Sequence, residues 1–131
     1  MEHLNTYIGI EPFTVLVDDS TQLRGLAERA RALRQLPFPD KLQQVKQLAI
    51  DAMVNAYEKM VVWGRKAATG DSGAREQHQK FKGIVFQGHP LSYALQQGAG
   101  CCRYQGALFF ALGYEADLGD QHFVHASPVN R

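Results

Sequence analysis

The spacing of apolar residues predicts two long helices in the first half of the chain. Behind the helix-start signal Asp18-Asp19-Ser20, apolar residues recur at helical spacing, which predicts a helix over about 20–35. A turn and a new helix start follow at Pro37 to Asp40. From Leu42 to Met60 the steps of three and four continue without a break, so this stretch predicts one continuous helix.

Other segments in the first two thirds of the chain lack this period. Thr6 to Ile10 and Phe13 to Val17 are β-prone runs on either side of a proline, and they predict two strands or one broken strand. Gly64 to Gln79 is polar and without period, which predicts a mobile loop, helical at most over Ala74 to Lys80. A loop of that length is typical of a functional lid, or equally of a tolerated surface insertion.

The last third of the chain predicts a short helix, a buried helix and a sheet. Pro90 to Leu95 is typical of one or two helical turns. Cys102 to Leu112 is apolar on most sides, which places this helix in the centre of the fold, and Gly113 is its predicted end. Glu115 to Leu118 and His122 to Val129 then predict two strands. The predicted fold class is therefore α+β.

Composition narrows the classes of function. The 131 residues predict one domain, 1–131, with 14 Lys and Arg against 13 Asp and Glu. The net charge of +1 is well below the strong positive charge that is typical of nucleic-acid or membrane binders. There is no apolar run of about 18 residues for a membrane span. The N-terminus lacks the pattern of a signal peptide, which favours a cytoplasmic location and leaves export by another route open.

The chemistry that the sequence suggests is centred on the adjacent cysteines. Cys101 and Cys102 would strain a disulfide between them, which favours free thiols in a reducing compartment. Cys102 begins the apolar helix, and the free N–H groups of a helix N-terminus stabilise a thiolate. His122 and His125 follow on a predicted strand, where their odd offset places them on opposite faces. One of them can therefore face the thiol as a base.

The same four residues could be taken as zinc ligands. Structural zinc sites usually space their cysteines two to four residues apart, and Cys101 and Cys102 are neighbours. We therefore expect neither a metal nor another cofactor.

Three pieces of the chain resemble a known family. In chain order they are Gly98-Ala-Gly-Cys-Cys102-Arg103-Tyr-Gln-Gly-Ala-Leu108-Phe109, Gly113-Tyr-Glu-Ala-Asp-Leu118 and His125-Ala126. Over about residues 20–126 the chain resembles the core of transglutaminase-like cysteine enzymes, which are related to papain. The resemblance implies a helical lead-in and a central Cys-bearing helix packed on a small antiparallel sheet.

By position, the resemblance implies that Cys102 is the nucleophile. It implies that His125 is the base, preferred to His122 because Ala126 follows it. Members of this family cleave, deamidate or transfer amides through a thioester. The expected function is therefore amide-bond chemistry on a protein or peptide substrate, with proteolysis or glutamine deamidation ahead of crosslinking.

Several other residues are candidates for supporting roles. Cys101 could act as a resolving thiol, Arg103 could hold a substrate carboxylate or a structural partner, and His89 could line the cleft. Two functions of other classes stay open. One is a non-catalytic interaction module that keeps the fold with an incomplete triad, and the other is a redox protein that uses the cysteine pair.

The residue that would orient the histidine is unidentified. In the family it lies on the next strand, beyond Arg131, and Asn130 is too close to His125 for an ordinary hairpin return. Asp117 and Asp120 precede His125 and do not match the motif. A sheet with so few strands also has an exposed edge, which predicts a homodimer or a missing C-terminal continuation.

Overall fold

The computed structural model describes residues 4–9 and 14–119, and over these residues the fold is α+β and mostly helical. Six helices are described: α1 Thr21–Arg31, α2 Phe38–Asp51, α3 Ala56–Ala68, α4 Ser72–Phe86, α5 Leu91–Gln97 and α6 Cys102–Glu115. Two strands, β1 Thr6–Ile8 and β2 Val15–Val17, pair antiparallel with Thr6 opposite Val17. Two shorter strands, β3 Val54–Asn55 and β4 Ala99–Gly100, pair parallel. The α+β prediction is confirmed at this level.

Helix α6 forms the centre of the core, as its sequence predicts. It is buried on nearly every side and contacts α1, α2, α5, β2 and β4. Leu108 and Leu112 are fully buried, and each such side chain stabilises the fold by about 1.5–3 kcal/mol. None of the helices in residues 4–9 and 14–119 has the length and hydropathy needed to cross a bilayer.

The end of α6 differs from the prediction. Gly113 lies inside the helix and is buried. The strand predicted over Glu115 to Leu118 is wrong, because Glu115 is the last residue of the helix and the C-cap follows it. The left-handed residue is Asp117, with a φ of 60°, and its amide donates to Tyr114 O while the Leu118 amide donates to Gly113 O at 2.9 Å. These bonds form a Schellman motif, in which Asp tolerates the conformation that glycine usually supplies. The strand predicted over 122–129 lies outside the described residues.

Three cations converge on this end of α6. Arg31 Nε lies 2.7 Å from Glu115 Oε1, and Arg34 Nε donates to Glu115 O at 2.6 Å. Lys41 Nζ donates to Asp117 O at 2.9 Å. Carbonyl groups at a helix C-terminus carry partial negative charge, so the cations from α1, from the turn that follows it and from α2 stabilise this end of α6. These bonds fasten the two leading helices to the central one.

Helix α1 begins where the sequence predicts and ends early. Ser20 is the N-cap and accepts from the Leu23 amide at 3.1 Å. Beyond Arg31 the chain leaves the helix through short turns, such as Leu36 N to Leu33 O, so the predicted continuation to residue 35 is wrong. The preceding Asp18 accepts from the Ser92 amide at 2.8 Å and from the Ser92 hydroxyl, which caps α5 from a distant part of the chain.

The continuous helix predicted from Leu42 to Met60 is two helices. Helix α2 starts at Phe38 and ends at Asp51, and α3 starts after a new cap at Asn55. Met53 and Ala56 are both buried, so the apolar spacing continues across the break although the backbone does not remain helical. Pairing of β3 with β4 holds the intervening residues extended.

The long loop predicted from Gly64 to Gln79 is also wrong, because α3 and α4 form a helical hairpin here. Gly70 has a φ of 95° beyond the end of α3, and the Asp71 side chain caps α4 by accepting from Gly73 N and Ala74 N. The segment predicted at most as a piece of helix is therefore ordered helix from Ser72 onward. At Gly64 the two helices come close, since an added Cβ would lie 3.0 Å from the ring of His78.

We predict that Lys41→Met lowers the free energy of unfolding by about 1–3 kcal/mol, because the part-buried hydrogen bond from the Lys41 ammonium to the Asp117 carbonyl is lost. Methionine keeps the apolar stem, so the loss reports the hydrogen bond. Urea denaturation measures it. Lys46→Met on the same helix, where Lys46 has no hydrogen bond or ion pair within the described residues, should change the free energy by no more than about 0.5 kcal/mol. Equal losses in the two variants would contradict the role of Lys41.

Candidate functional site

Two helices begin at the same end of the short parallel sheet. Strand β3 leads directly into α3, and β4 leads through Cys101 into α6. The register pairs Val54 with Ala99 and Asn55 with Gly100, and Val54 N donates to Gly98 O at 2.8 Å. Parallel pairing therefore brings the N-termini of α3 and α6 side by side.

The two N-termini are capped differently. The Asn55 Oδ1 accepts from Tyr57 N at 3.0 Å and from Glu58 N at 3.2 Å. Cys101 is the N-cap of α6, and its side chain makes no capping bond. The Cys101 carbonyl accepts hydrogen bonds from the amides of residues 104 and 105. No described side chain caps the amides of Cys102 and Arg103. Within the part of the chain that the structure describes, these two amides are therefore unpaired donors.

A cavity of about 580 Å³ opens at this point. Its described lining consists of Asn55, Tyr57, Val85, Phe86, Cys101, Cys102 and Arg103. Cys102 is exposed and Cys101 is half-buried, and both are free thiols. Tyr57 is 55% exposed and Phe86 is 66% exposed, so two aromatic side chains stand open beside the thiols. The volume is in the range of small-molecule and peptide side-chain pockets.

Arg103 joins the end of α4 to the start of α6. Its Nη2 donates to Val85 O at 3.1 Å and to Gln87 O at 2.5 Å. The last carbonyls of α4 are thereby satisfied by a cation from the neighbouring helix. These bonds fix Val85 and Phe86 beside Cys102, which favours the structural role for Arg103, and its role as a carboxylate holder stays a prediction.

Tyr104 supports the same wall from behind. Its hydroxyl donates to Gln87 O at 3.2 Å and accepts from His89 N at 3.1 Å and from Arg103 Nη2 at 3.3 Å. The ring is fully buried, and burial raises the pKa of the Tyr104 phenol, partly offset by the nearby Arg103 charge. Tyr104 therefore remains a neutral donor at physiological pH.

The histidine candidates are placed differently from the cysteines. The His89 ring stacks on Tyr93 with centroids 3.9 Å apart, and His89 is not among the described residues that line the cavity. His122 and His125 lie outside the described residues, as do Asp120 and Asn130. Within residues 4–9 and 14–119 no three His, Cys, Asp or Glu side chains group as metal ligands. The predicted zinc set includes both histidines and so lies partly outside that range.

Four residues of the lining were not among the sequence candidates: Asn55, Tyr57, Val85 and Phe86. One signal could have revealed the first two, since Asn55-Ala-Tyr-Glu58 has the spacing of a capping box and marks a helix start. The apolar run Ile84-Val85-Phe86 is typical of core, and only Ile84 in it is buried. Nothing in the local sequence indicates that Phe86 lies beside Cys102.

Gly100 allows the close contact on which the site depends. A Cβ built at this position would collide with Met53 Sδ and would lie 3.0 Å from the Tyr104 Cβ. Both neighbours are buried, and the Tyr104 Cβ is fixed by the backbone of α6. A glycine is therefore required where β4 passes under the start of the helix.

We predict that Gly100→Ala lowers the free energy of unfolding by about 1–3 kcal/mol, since the added methyl group overpacks the core. Thermal and urea denaturation measure the change. Gly25→Ala is the matched control, because a Cβ there meets nothing within 4 Å on the exposed face of α1. It should raise the free energy by about 0.5–1 kcal/mol through helix propensity. Stabilisation by both substitutions would contradict the close contact at Gly100.

A second prediction concerns Tyr104 at high pH. Because burial raises the pKa of Tyr104 above its usual 10.0, the folded protein holds the phenol proton more tightly than the unfolded chain does. The resulting stability is complete below pH 10.0 and is lost as the pH rises through the folded pKa. We therefore expect the free energy of unfolding to fall more steeply above pH 10.0 in the wild type than in Tyr104→Phe.

Urea denaturation at a series of fixed pH values measures the two slopes. A Tyr104→Phe slope equal to that of the wild type would count against the effect of burial.

No protein-family model matches the chain, and no curated protein or solved structure is similar enough to it to count as a match. The functional inference therefore depends on the geometry around Cys102 and on the resemblance of the motifs along the sequence.

Proposed function

We propose that this protein is a thiol-dependent enzyme of the transglutaminase/papain-like type that acts on amide bonds in proteins or peptides. The observation that carries the proposal is the place of Cys102. Its exposed side chain is on the first residue of the buried helix α6 and lines a cavity of about 580 Å³.

The start of α6 suits a nucleophilic sulfur. The N-terminus of a helix carries partial positive charge and free N–H groups, which stabilise negative charge that develops beside it. Helix α6 is also held at its other end by Arg31, Arg34 and Lys41, so the position of Cys102 is fixed by the core. A reactive group on a rigid element is held more accurately than one on a loop.

The reaction follows from these groups. The Cys102 sulfur adds to the carbonyl carbon of the substrate, a C–S bond forms, and an electron pair moves onto the carbonyl oxygen. The amides of Cys102 and Arg103 stabilise that oxyanion. Asn55 uses its Oδ1 to cap α3 and keeps its amide hydrogens for the same oxygen. When the C–N bond breaks, the nitrogen leaves with a proton and a thioester remains. Water then adds to the thioester, which releases the carboxylic acid and restores the thiol.

Proton transfer is assigned to His125, on the basis of the sequence resemblance. The described lining contains no His, Asp or Glu. His125 and His122, the two candidate bases, both lie in residues 120–131, outside the described residues. Packing of α6 against β2, with α1 and α2 earlier in the chain, supports the proposed fold type.

The second candidate is a non-catalytic interaction module. It is favoured by the exposed rings of Tyr57 and Phe86 and by the lack of an acid or base among the described lining residues. Such a module would bind a peptide at this cavity without turning it over.

The test is the alkylation of Cys102 by iodoacetamide at pH 6. We expect Cys102 to react about two- to fivefold faster than free cysteine, because a helix N-terminus stabilises an exposed anion by about 0.3–1 kcal/mol. Tandem mass spectrometry separates modification at Cys102 from modification at Cys101, which serves as the internal reference. Urea-unfolded protein is the control and should lose the advantage. A folded rate equal to that of free cysteine would rule out an activated thiol.

Turnover distinguishes the enzyme from the module. With a mixed peptide substrate, new amino groups report proteolysis and released ammonia reports deamidation. Cys102→Ser should reduce both signals to background while the substrate still binds. Turnover that persists in Cys102→Ser would reject Cys102 as the nucleophile.

A further inference from the structure

We propose that Tyr57 and Phe86 form an apolar subsite that selects substrates with an aromatic or aliphatic side chain on the acyl side of the reacting bond. This inference rests on the proposed function, in which Cys102 is the nucleophile. It commits the site to apolar peptide segments rather than to polar glutamine side chains.

The exposure of these rings is the first support. Tyr57 is 55% exposed and Phe86 is 66% exposed, although both residues line the cavity that holds Cys102. Val85 continues the apolar wall between Phe86 and the core. Large apolar side chains grouped in one concave site indicate binding of an apolar group.

The second support is that the backbone at Tyr57 and around Phe86 is held in place relative to the start of α6. Tyr57 is the second residue of α3, where its amide is bonded to Asn55 Oδ1. Phe86 is the last residue of α4, and Arg103 bonds the carbonyls on either side of it. Because Arg103 directly follows Cys102, the wall and the nucleophile are joined through the same turn of helix.

The charge of the site further restricts which peptide side chains can bind there. Arg103 is the charged member of the described lining, and the adjoining N-termini of α3 and α6 add partial positive charge. A cationic side chain would be repelled here and would find no carboxylate among the described lining residues. The site therefore fits a neutral or acidic peptide segment with an apolar side chain beside the reacting carbonyl.

The test compares three probes that share the chloroacetamide group: unsubstituted, N-benzyl and N-(3-aminopropyl). In each case the Cys102 sulfur displaces chloride, a C–S bond forms and the C–Cl bond breaks. Rates at Cys102 are measured by tandem mass spectrometry and divided by the rate of the same probe with free cysteine. We expect the benzyl probe to react about tenfold faster than the unsubstituted one and to saturate, with the aminopropyl probe slowest.

Two variants test whether Phe86 forms the apolar subsite. Phe86→Ala should lower the benzyl-to-unsubstituted ratio several-fold, and its fold should survive because the ring is mostly exposed. Val62→Ala is the matched control, since Val62 is an exposed α3 residue outside the described lining and should keep the ratio. Circular dichroism and the urea midpoint confirm that both variants are folded.

The outcomes separate this inference from the proposed function. A normalised ratio near 1, with Cys102 still faster than free cysteine at pH 6, overturns the subsite and leaves the activated thiol standing. A tenfold ratio at an unaccelerated Cys102 supports the subsite and contradicts the proposed chemistry. A ratio that disappears as protein concentration rises means that a second copy of the chain covers the rings, which also overturns the subsite.

Discussion

Burial of α6 on nearly every side is the constraint on which the rest of the fold depends. A helix without a polar face can satisfy its unpaired backbone groups only at its ends. At the C-terminus, an ion pair and two hydrogen bonds are formed by Arg31, Arg34 and Lys41. These interactions also attach α1 and α2 to the core. At the N-terminus no side chain caps the first amides within the described residues. The residues that carry these uncapped amides, Cys102 and Arg103, line the cavity.

The sequence was informative where a local pattern had only one physical solution. The segment from Cys102 to Leu112 is apolar on most sides, which predicts a central helix. Ser20 marks the start of α1 because its hydroxyl can accept from the amide three residues on. The sequence failed at the break near Met53. Spacing there still fits one helix, and the partner that holds β3 extended is Gly98 to Gly100, far along the chain. Periodicity contains no information about such a distant pairing.

The site shows the same division. Cys102 was identifiable because a thiol at the start of an apolar helix is visible in one short stretch of sequence. The residues around it come from the start of α3 and the end of α4. Phe86 belongs to an apolar run that is typical of a protein core, yet its side chain is 66% exposed. The apolar spacing predicts at most a piece of α4. Only Ala74, Phe81 and Ile84 are buried among its 15 residues, which is too sparse a pattern to indicate the full helix. Here Gly70 and Asp71 were the better evidence, since they end one helix and begin the next.

The parallel pair of β3 and β4 contains only two residues on each side, yet it couples the site to the completion of folding. Two segments that are distant in sequence must meet before Asn55 and Cys102 can share one cavity. A nascent or partly unfolded chain has both thiols but neither the neighbouring helix start nor the aromatic wall. Such a chain would behave as an ordinary cysteine peptide. Enhanced reactivity at Cys102 would then report on the native state, and misfolded copies would react only as fast as an ordinary cysteine.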